Sequence, residues 1–300
     1  MYTPKIAVIG SINMDLVTTA PRFPAVGETL LGSGFAQFMG GKGANQAVAA
    51  ARLGAEVALV GAVGDDAFGR ELLTGLQAQG VDTAAVKTLA NTPTGMANIT
   101  VAEGDNHIIV VSGANFGLTV ADIEAQEALI AAADVVLSQL EIPLPCVEAA
   151  AALAQKHGKP FILNPAPAQR LPESLLAASS LLTPNAHELA ISLGLPEHTA
   201  AHDLFAAANH RVVMTCGADG ALYHDTQTGL CQQPGFSVQA VDSTGAGDTF
   251  NAALAVYWPL GLPQAVRHAC AAAALSVTRM GAQGGMPSAD ALAAFLASQP

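Results

Sequence analysis

The chain has 300 residues, 51% of them hydrophobic and only 12% charged, with a formal net charge of −12. That balance excludes a disordered chain, which needs low hydrophobicity and high charge. The length allows one large α/β domain or two ordinary ones, and the acidity argues against nucleic acid or an anionic membrane as a partner.

The N-terminus, MYTPKIAVIGSINMD, lacks the layout of a signal peptide, since its apolar run is short and ends in Asn and Asp. KIAVIG reads as a buried strand. GSINMD follows it and carries Asn13 and Asp15, which share a face if the chain stays extended. An amide and a carboxylate in that position suit sugar hydroxyls, and they are also ordinary turn residues. ETLLGSGFAQF shows no helical period. MGGKGANQAVAAARLG places Gly40, Gly41 and Gly43 around Lys42 at the start of a helix ended by a glycine. Lys42 and Asn45, three apart, can face one ligand there, and a helix N-terminus favours anions or oxygen-rich groups. Plain helix capping explains the glycines equally well, and the spacing of a P-loop is absent.

VALVGAVG reads as a strand and AFGRELLTGLQAQG as a helix. NITVAEGDNHIIVV reads as a hairpin around EGDN. DVVLSQLE is a further strand, with Glu141 where it leaves the sheet; PCVEAAAALAQKHG is a helix and PFILNPAP a strand. SLLTPN and AHELAISLG repeat the alternation. Asn185 and Glu188, three apart, spell a capping box; the same pair suits a magnesium-and-phosphate site. RVVMTCG ends in TCGADG, where Thr215, Gly217 and Gly220 make either a hairpin turn or a loop over phosphates.

AVDSTGAGDTF then follows a β-rich segment and runs into an apolar helix. Gly245 and Gly247 let successive N–H groups point at one spot, and the helix adds its positive end. Asp248 at that helix start either caps it or takes a proton from a hydroxyl attacking phosphorus. The apolar run AALAVYWPLGLPQAV is interrupted by Pro259 and Pro263 and is too short to span a bilayer. Cys146, Cys216, Cys231 and Cys270 form no CxxC pair and suit no zinc site, so isolated reduced thiols and a cytoplasmic location are expected. Strands alternating with helices predict an α/β fold: a mostly parallel sheet with helices on both faces, plus a small β accessory sheet.

GSINMD, GGKGANQAVAAA, NPAPA, TPNAHE, VDSTGAGDTF and RMGAQGGMP occur in the order and spacing of the ribokinase-like (PfkB) carbohydrate kinases. The chain resembles that family over nearly its whole length. The resemblance implies a three-layer sandwich forming a single kinase domain, with a β lid from about 13–38 and 93–112. It further implies an ATP-dependent kinase acting on the 5-hydroxyl of D-ribose. Asn13, Asp15, Gly41, Lys42, Asn45 and Glu141 would hold the sugar with Asp248, the catalytic base. Gly245, Ala246, Gly247 and Asp248 would form the anion hole. Asn185, Thr215, Cys216, Gly217, Ala218, Asp219, Gly220, Gly247 and Cys270 would line the ATP site, and Glu188 would belong to the Mg2+ network. Asp242, Thr244, Ser276, Arg279, Gly281 and Gly285 would surround a monovalent cation, K+. The lid would pair two subunits into a homodimer. Two positions depart from the family pattern: Cys270 stands where His or Asn is expected beside adenine, and Gly285 where a serine often helps the cation site. Alternatives within the family are a kinase for 2-deoxyribose or for nucleosides. Outside it stands a non-catalytic sugar-binding protein on the same scaffold.

Overall fold

A computed structural model describes residues 3–299. The first strand, β1 (Lys5–Ile9), sends alternate side chains to opposite faces, so Ile6 and Val8 join one buried cluster and Ala7 and Ile9 the other. The chain continues through β2 (Asn13–Thr19), β3 (Gly34–Gly40), α1 (Lys42–Arg52), β4 (Glu56–Gly64), α2 (Ala67–Ala78), β5 (Val81–Asp82), β6 (Val86–Leu89), β7 (Gly95–Ala102) and β8 (Asp105–Val111). Then come α3 (Val120–Glu124), α4 (Glu127–Ala132), β9 (Val135–Ser138), α5 (Leu144–Lys156), β10 (Phe161–Leu163), α6 (Glu173–Ala178), β11 (Leu181–Leu182), α7 (Ala186–Leu193) and α8 (Ala201–Ala207). The last part holds β12 (Val213–Thr215), β13 (Ala221–Asp225), β14 (Gly229–Gln233), α9 (Ala246–Val256), α10 (Leu262–Ser276) and α11 (Ala289–Ala297).

The main sheet runs β11-β10-β9-β1-β4-β5, with β6 also beside β4, and its pairs are all parallel. Parallel strands need crossover helices, and those helices cover both faces. One cluster packs α1, α9 and α10 against the sheet, and the other packs α5 and α7 against the opposite side. Each large apolar side chain buried this way contributes about 1.5–3 kcal/mol. The antiparallel sheet β12-β13-β14 extends the main one through single bridges Leu182–Val212 and Asn185–Thr215.

The second sheet is β3-β2-β7-β8. Its hairpin β7–β8 turns through Glu103 and Gly104, both with positive φ, the two-residue geometry that matches strand twist. On β8, Ile108, Ile109, Val110 and Val111 are all exposed, which leaves apolar side chains bare on both faces of an edge strand.

Several strands are shorter than their apolar patterns predict. The expected strands DVVLSQLE, PFILNPAP, SLLTPN and RVVMTCG end at Ser138, Leu163, Leu182 and Thr215. Pro165, Pro167 and Pro184 cannot donate to a ladder, and the polar residues past each end leave the sheet as loops. The segment before STGAGD, read as β-rich, forms no strand over 234–245. Its Phe236, Val238 and Ala240 line a cleft instead. No described helix is long and apolar enough to cross a membrane.

Candidate active site

Two helices meet at the centre of the site. Every residue of α1 from Gly43 to Ala50 is buried, as is every residue of α9 from Asp248 to Val256. Their alanines let the two helices pack directly against each other. Gly245 precedes α9 at φ 77°, a left-handed angle that favours glycine. No side chain caps that helix, and among the described residues nothing accepts from the backbone N–H of Gly247 or Asp248.

The carboxylate of Asp248 turns away from its own helix start. Its Oδ2 accepts from Asn45 Nδ2 at 2.9 Å and its Oδ1 from Gln46 Nε2 at 3.0 Å. The capping reading of Asp248 therefore gives way to one in which the helix N-terminus stays open. Burial pushes the Asp248 pKa up; Lys42, Gln46 and Asn45 oppose that, and Glu141 adds to it.

Asp15, Lys42 and Asp248 lie close enough to Glu141 to feel its charge. Burial first, then the charges of Glu141 and Asp248, raise Asp15 to about 7. Burial works to lower Lys42, but Asp248, Glu141 and Glu188 outweigh it and hold the ammonium above its ordinary value. Asp15 lies over Gly40, where a Cβ would fall 2.2 Å from Oδ2, and Asn13 lies over Gly95. Asn13 and Asp15 thus share one face of β2, as their spacing requires. Asn13 Oδ1 accepts from Asn115 Nδ2 at 2.7 Å.

The start of α1 is not open. Glu141 Oε2 accepts from the Lys42 N–H at 3.1 Å, Ser11 Oγ from Gly43 at 3.3 Å, and the Ser11 carbonyl from Ala44 at 2.8 Å. Of the two readings of the GGKG turn, helix capping is present, supplied by distant segments, with Gly41 as the residue before the helix. Side chains of Lys42 and Asn45 still face the site.

On the other side of α9 lies a cleft of about 570 Å3. Its walls include Thr215, Gly217, Ala218, Gly220, Gly247 and Cys270, while Cys216 and Asp219 of the same turn are not among them. TCGADG is thus both a hairpin turn, joining β12 to β13, and a cleft wall. Burial, with the neighbouring Cys216 thiol, pushes Cys270 up to about 12, so it stays a neutral thiol. Asn185 pairs with Thr215 through an isolated bridge. The capping box at α7 is formed in full: Asn185 Oδ1 accepts from the Glu188 N–H at 2.8 Å, and Glu188 Oε2 from the Asn185 N–H at 2.9 Å.

Beside the cleft, the loop of Asp242 and Thr244 meets the loop after α10. Asp242 Oδ1 accepts from the Thr244 N–H at 2.9 Å and Oδ2 from the Gly281 N–H at 2.8 Å. Burial opposes ionisation of Asp242, but those N–H donors prevail and lower its pKa. Gly285 packs on the Ser276 carbonyl so closely that a Cβ would fall 1.8 Å from the oxygen. Arg279 is exposed. Both Asp242 oxygens thus accept from backbone N–H groups, and an anionic carboxylate is the oxygen ligand a hard cation takes.

Sequence reasoning passed over Ser11, Gln46, Asn115, Gln139 and Gln283, all buried and all hydrogen-bonded around these groups. The available signal was a polar residue inside a buried pattern, as Gln46 is within the alanines of α1.

A buried carboxylate, a cation beside it and unpaired N–H donors at a helix start are the parts that phosphoryl transfer uses. Together with the fold they define a carbohydrate kinase, and the chain belongs to the pfkB family of carbohydrate kinases, whose model matches residues 3–289. It is 46% identical to a ribokinase of Bacillus subtilis, covering 94% of this chain and 96% of that one. A deoxyribokinase of Salmonella typhi is 37% identical over 97% of this chain and 98% of its own. Among solved structures, Arabidopsis thaliana ribokinase complexed with ribose and ATP superposes at a TM-score of 0.90, with 32% identity and 100% of both chains covered.

Proposed function

We propose that this protein transfers the γ-phosphoryl group of ATP to the 5-hydroxyl of D-ribose, giving D-ribose 5-phosphate and ADP. One observation carries the reading: the Asp248 carboxylate is held beside the polar groups of β2 and α1, while Ala246 and Gly247 at the start of the same helix line the cleft. Asn13, Asp15, Lys42, Asn45 and Glu141 hold the sugar hydroxyls. Asp248 takes the proton of the 5-hydroxyl as its oxygen attacks the γ-phosphorus. The bond from that phosphorus to the bridging oxygen breaks, and ADP leaves. The N–H groups from Gly245 to Asp248 stabilise the negative charge on the transferred group. Raised by burial, Asp248 is a stronger base than a solvated carboxylate.

The cleft takes the nucleotide, with Cys270 beside the base. Glu188 keeps one oxygen outside its cap and joins the water shell of Mg2+, which offsets phosphate charge when bound. Asp242 and the carbonyls near Ser276 and Gly281 hold K+, which would supply positive charge next to the anion hole. The four-stranded sheet acts as a lid over the sugar, and its bare β8 edge pairs two subunits. ATP as a substrate and four free cysteines suit a cytoplasmic setting.

A coupled ADP-release assay over pentoses and nucleosides, run in potassium and in sodium, tests this. D-ribose with potassium is expected to give the highest kcat/KM. A preference for 2-deoxyribose or a nucleoside overturns the substrate, and sugar binding without ADP release overturns the enzyme. Asp248→Asn is expected to lower kcat about 10²–10⁴-fold while keeping the fold.

A further inference from the structure

Asn45 and Gln46 are neighbours on α1, and each gives its amide nitrogen to a different oxygen of Asp248. A side-chain amide has two nearly identical ends, one donating and one accepting, so its direction is set by what surrounds it. Here two further glutamines surround the pair. Gln139, directly after β9, donates Nε2 to Gln46 Oε1 at 2.6 Å. Gln283, in the loop after α10, donates Nε2 to Asn45 Oδ1 at 3.0 Å. Gln46 also reaches Asn164 Oδ1 at 3.4 Å. Gln46 and Gln139 are fully buried, so neither amide can turn toward water. Reversed, Gln46 would present a carbonyl oxygen to an anionic carboxylate.

We propose that Gln46 and Gln139 are positioning residues for the base: Gln139 fixes which way Gln46 points, and Gln46 holds Asp248 Oδ1. Each oxygen of Asp248 then keeps a lone pair for the substrate hydroxyl at a fixed angle. Neutral amides orient the carboxylate without a second cation, which would weaken it as a base. The charged groups facing it are Lys42 on α1, Glu141 after β9 and Asp15 on β2; Glu188 acts through Lys42. The catalytic meaning of this arrangement rests on the reading of Asp248 as the base, but the arrangement itself does not.

The test uses Gln46→Met, Gln139→Met and the double variant of the full chain. Ribose turnover is followed against pH, and the carbon-13 carboxyl signal of Asp248, assigned by its loss in Asp248→Asn, is titrated in parallel. In Gln46→Met, kcat is expected to fall about 10–100-fold, the scale of one hydrogen bond to a charged group, with the ribose KM changed less than about threefold. The Asp248 titration and the acid limb of the kcat profile should both move to higher pH, because a donor to the anionic form is gone. Gln139→Met should shift the titration in the same direction by less, and add nothing in the Gln46→Met background. Additive effects, or an unmoved titration with only a lower Tm, overturn the proposal. If Gln46→Met does not fold, the titration of Gln139→Met decides alone: an unmoved signal overturns it. If no sugar is turned over by the unaltered protein, the proposed function fails, while the carboxyl titration still decides whether the amides govern Asp248.

Discussion

Glu141 Oε2 receives the backbone N–H of Lys42 at 3.1 Å and the hydroxyl of Ser11 at 2.5 Å, so an acid after β9 caps the helix that begins with Lys42. If Glu141 also holds the sugar, as proposed, one side chain serves both stability and binding. Glu141→Ala is expected to cost about 1 kcal/mol by loss of the cap and to raise the ribose KM while leaving the ATP KM unchanged. Urea unfolding and initial rates measure the two separately.

Asp15 gives a pH dependence with a definite sign. Its pKa is raised from 3.8 to about 7 in the fold. The native state therefore binds more protons than the unfolded chain between those values. The favourable contribution is complete below about pH 3.8 and is lost as pH rises through about 7. Asp15→Asn removes the burden of an ionised carboxylate. The sugar-free variant is expected to be more stable than the parent at pH 8, by about 1–3 kcal/mol after allowance for partial solvation. The advantage should shrink toward pH 5, and ribose affinity should fall. Thermal unfolding across pH without sugar reads the sign.

The capping box of α7 separates two roles. Asn185→Ala is expected to cost about 1 kcal/mol of stability. Glu188→Gln keeps a side chain able to reach back to the Asn185 N–H, so its Tm should stay within about 2 °C. If Glu188 belongs to the magnesium network, the Mg2+ concentration for half-maximal rate rises in that variant alone. An unchanged magnesium curve leaves Glu188 with the cap only.

How much of this was legible depended on local pattern. The 3.6-residue period gave α1, α2, α5 and α7 nearly to their ends, and EGDN placed the β7–β8 turn. STGAGD could be read because its glycines and its helix signal are adjacent. Asn13, Lys42, Glu141 and Asp248 lie at the ends of strands and starts of helices, where motifs are visible. Gln139 and Gln283 were not legible, since each matters only through a partner 93 or 238 positions away. Helix α10 was hidden by its alanines and by Pro263, which sits near its start, a position that helices tolerate.

The β8 edge should decide association. Ile109 is 68% exposed beside three more bare apolar residues. Ile109→Glu places a charge in that row and is expected to turn a dimer into a monomer in sedimentation velocity. A monomeric parent, or a dimer unaffected by the change, removes the edge as the interface.

At Gly285 the relevant neighbour is backbone. With 1.8 Å between a hypothetical Cβ and the Ser276 carbonyl oxygen, Gly285→Ser must displace that carbonyl. The variant is expected to lose about 1–3 kcal/mol and to change the ratio of rates in potassium and sodium. An unchanged ratio places the cation elsewhere.

Asn13 is the first residue of β2, and its register partners are Gly40 at the end of β3 and Gly95 at the start of β7. The polar residues proposed to hold the sugar therefore sit at one end of the four-stranded sheet, whose outer strand is β8. Val111 pairs with Met96, the neighbour of Gly95, and Asn115 just past β8 donates to Asn13, so a partner seated on β8 would adjoin the proposed sugar groups through one short stretch of chain.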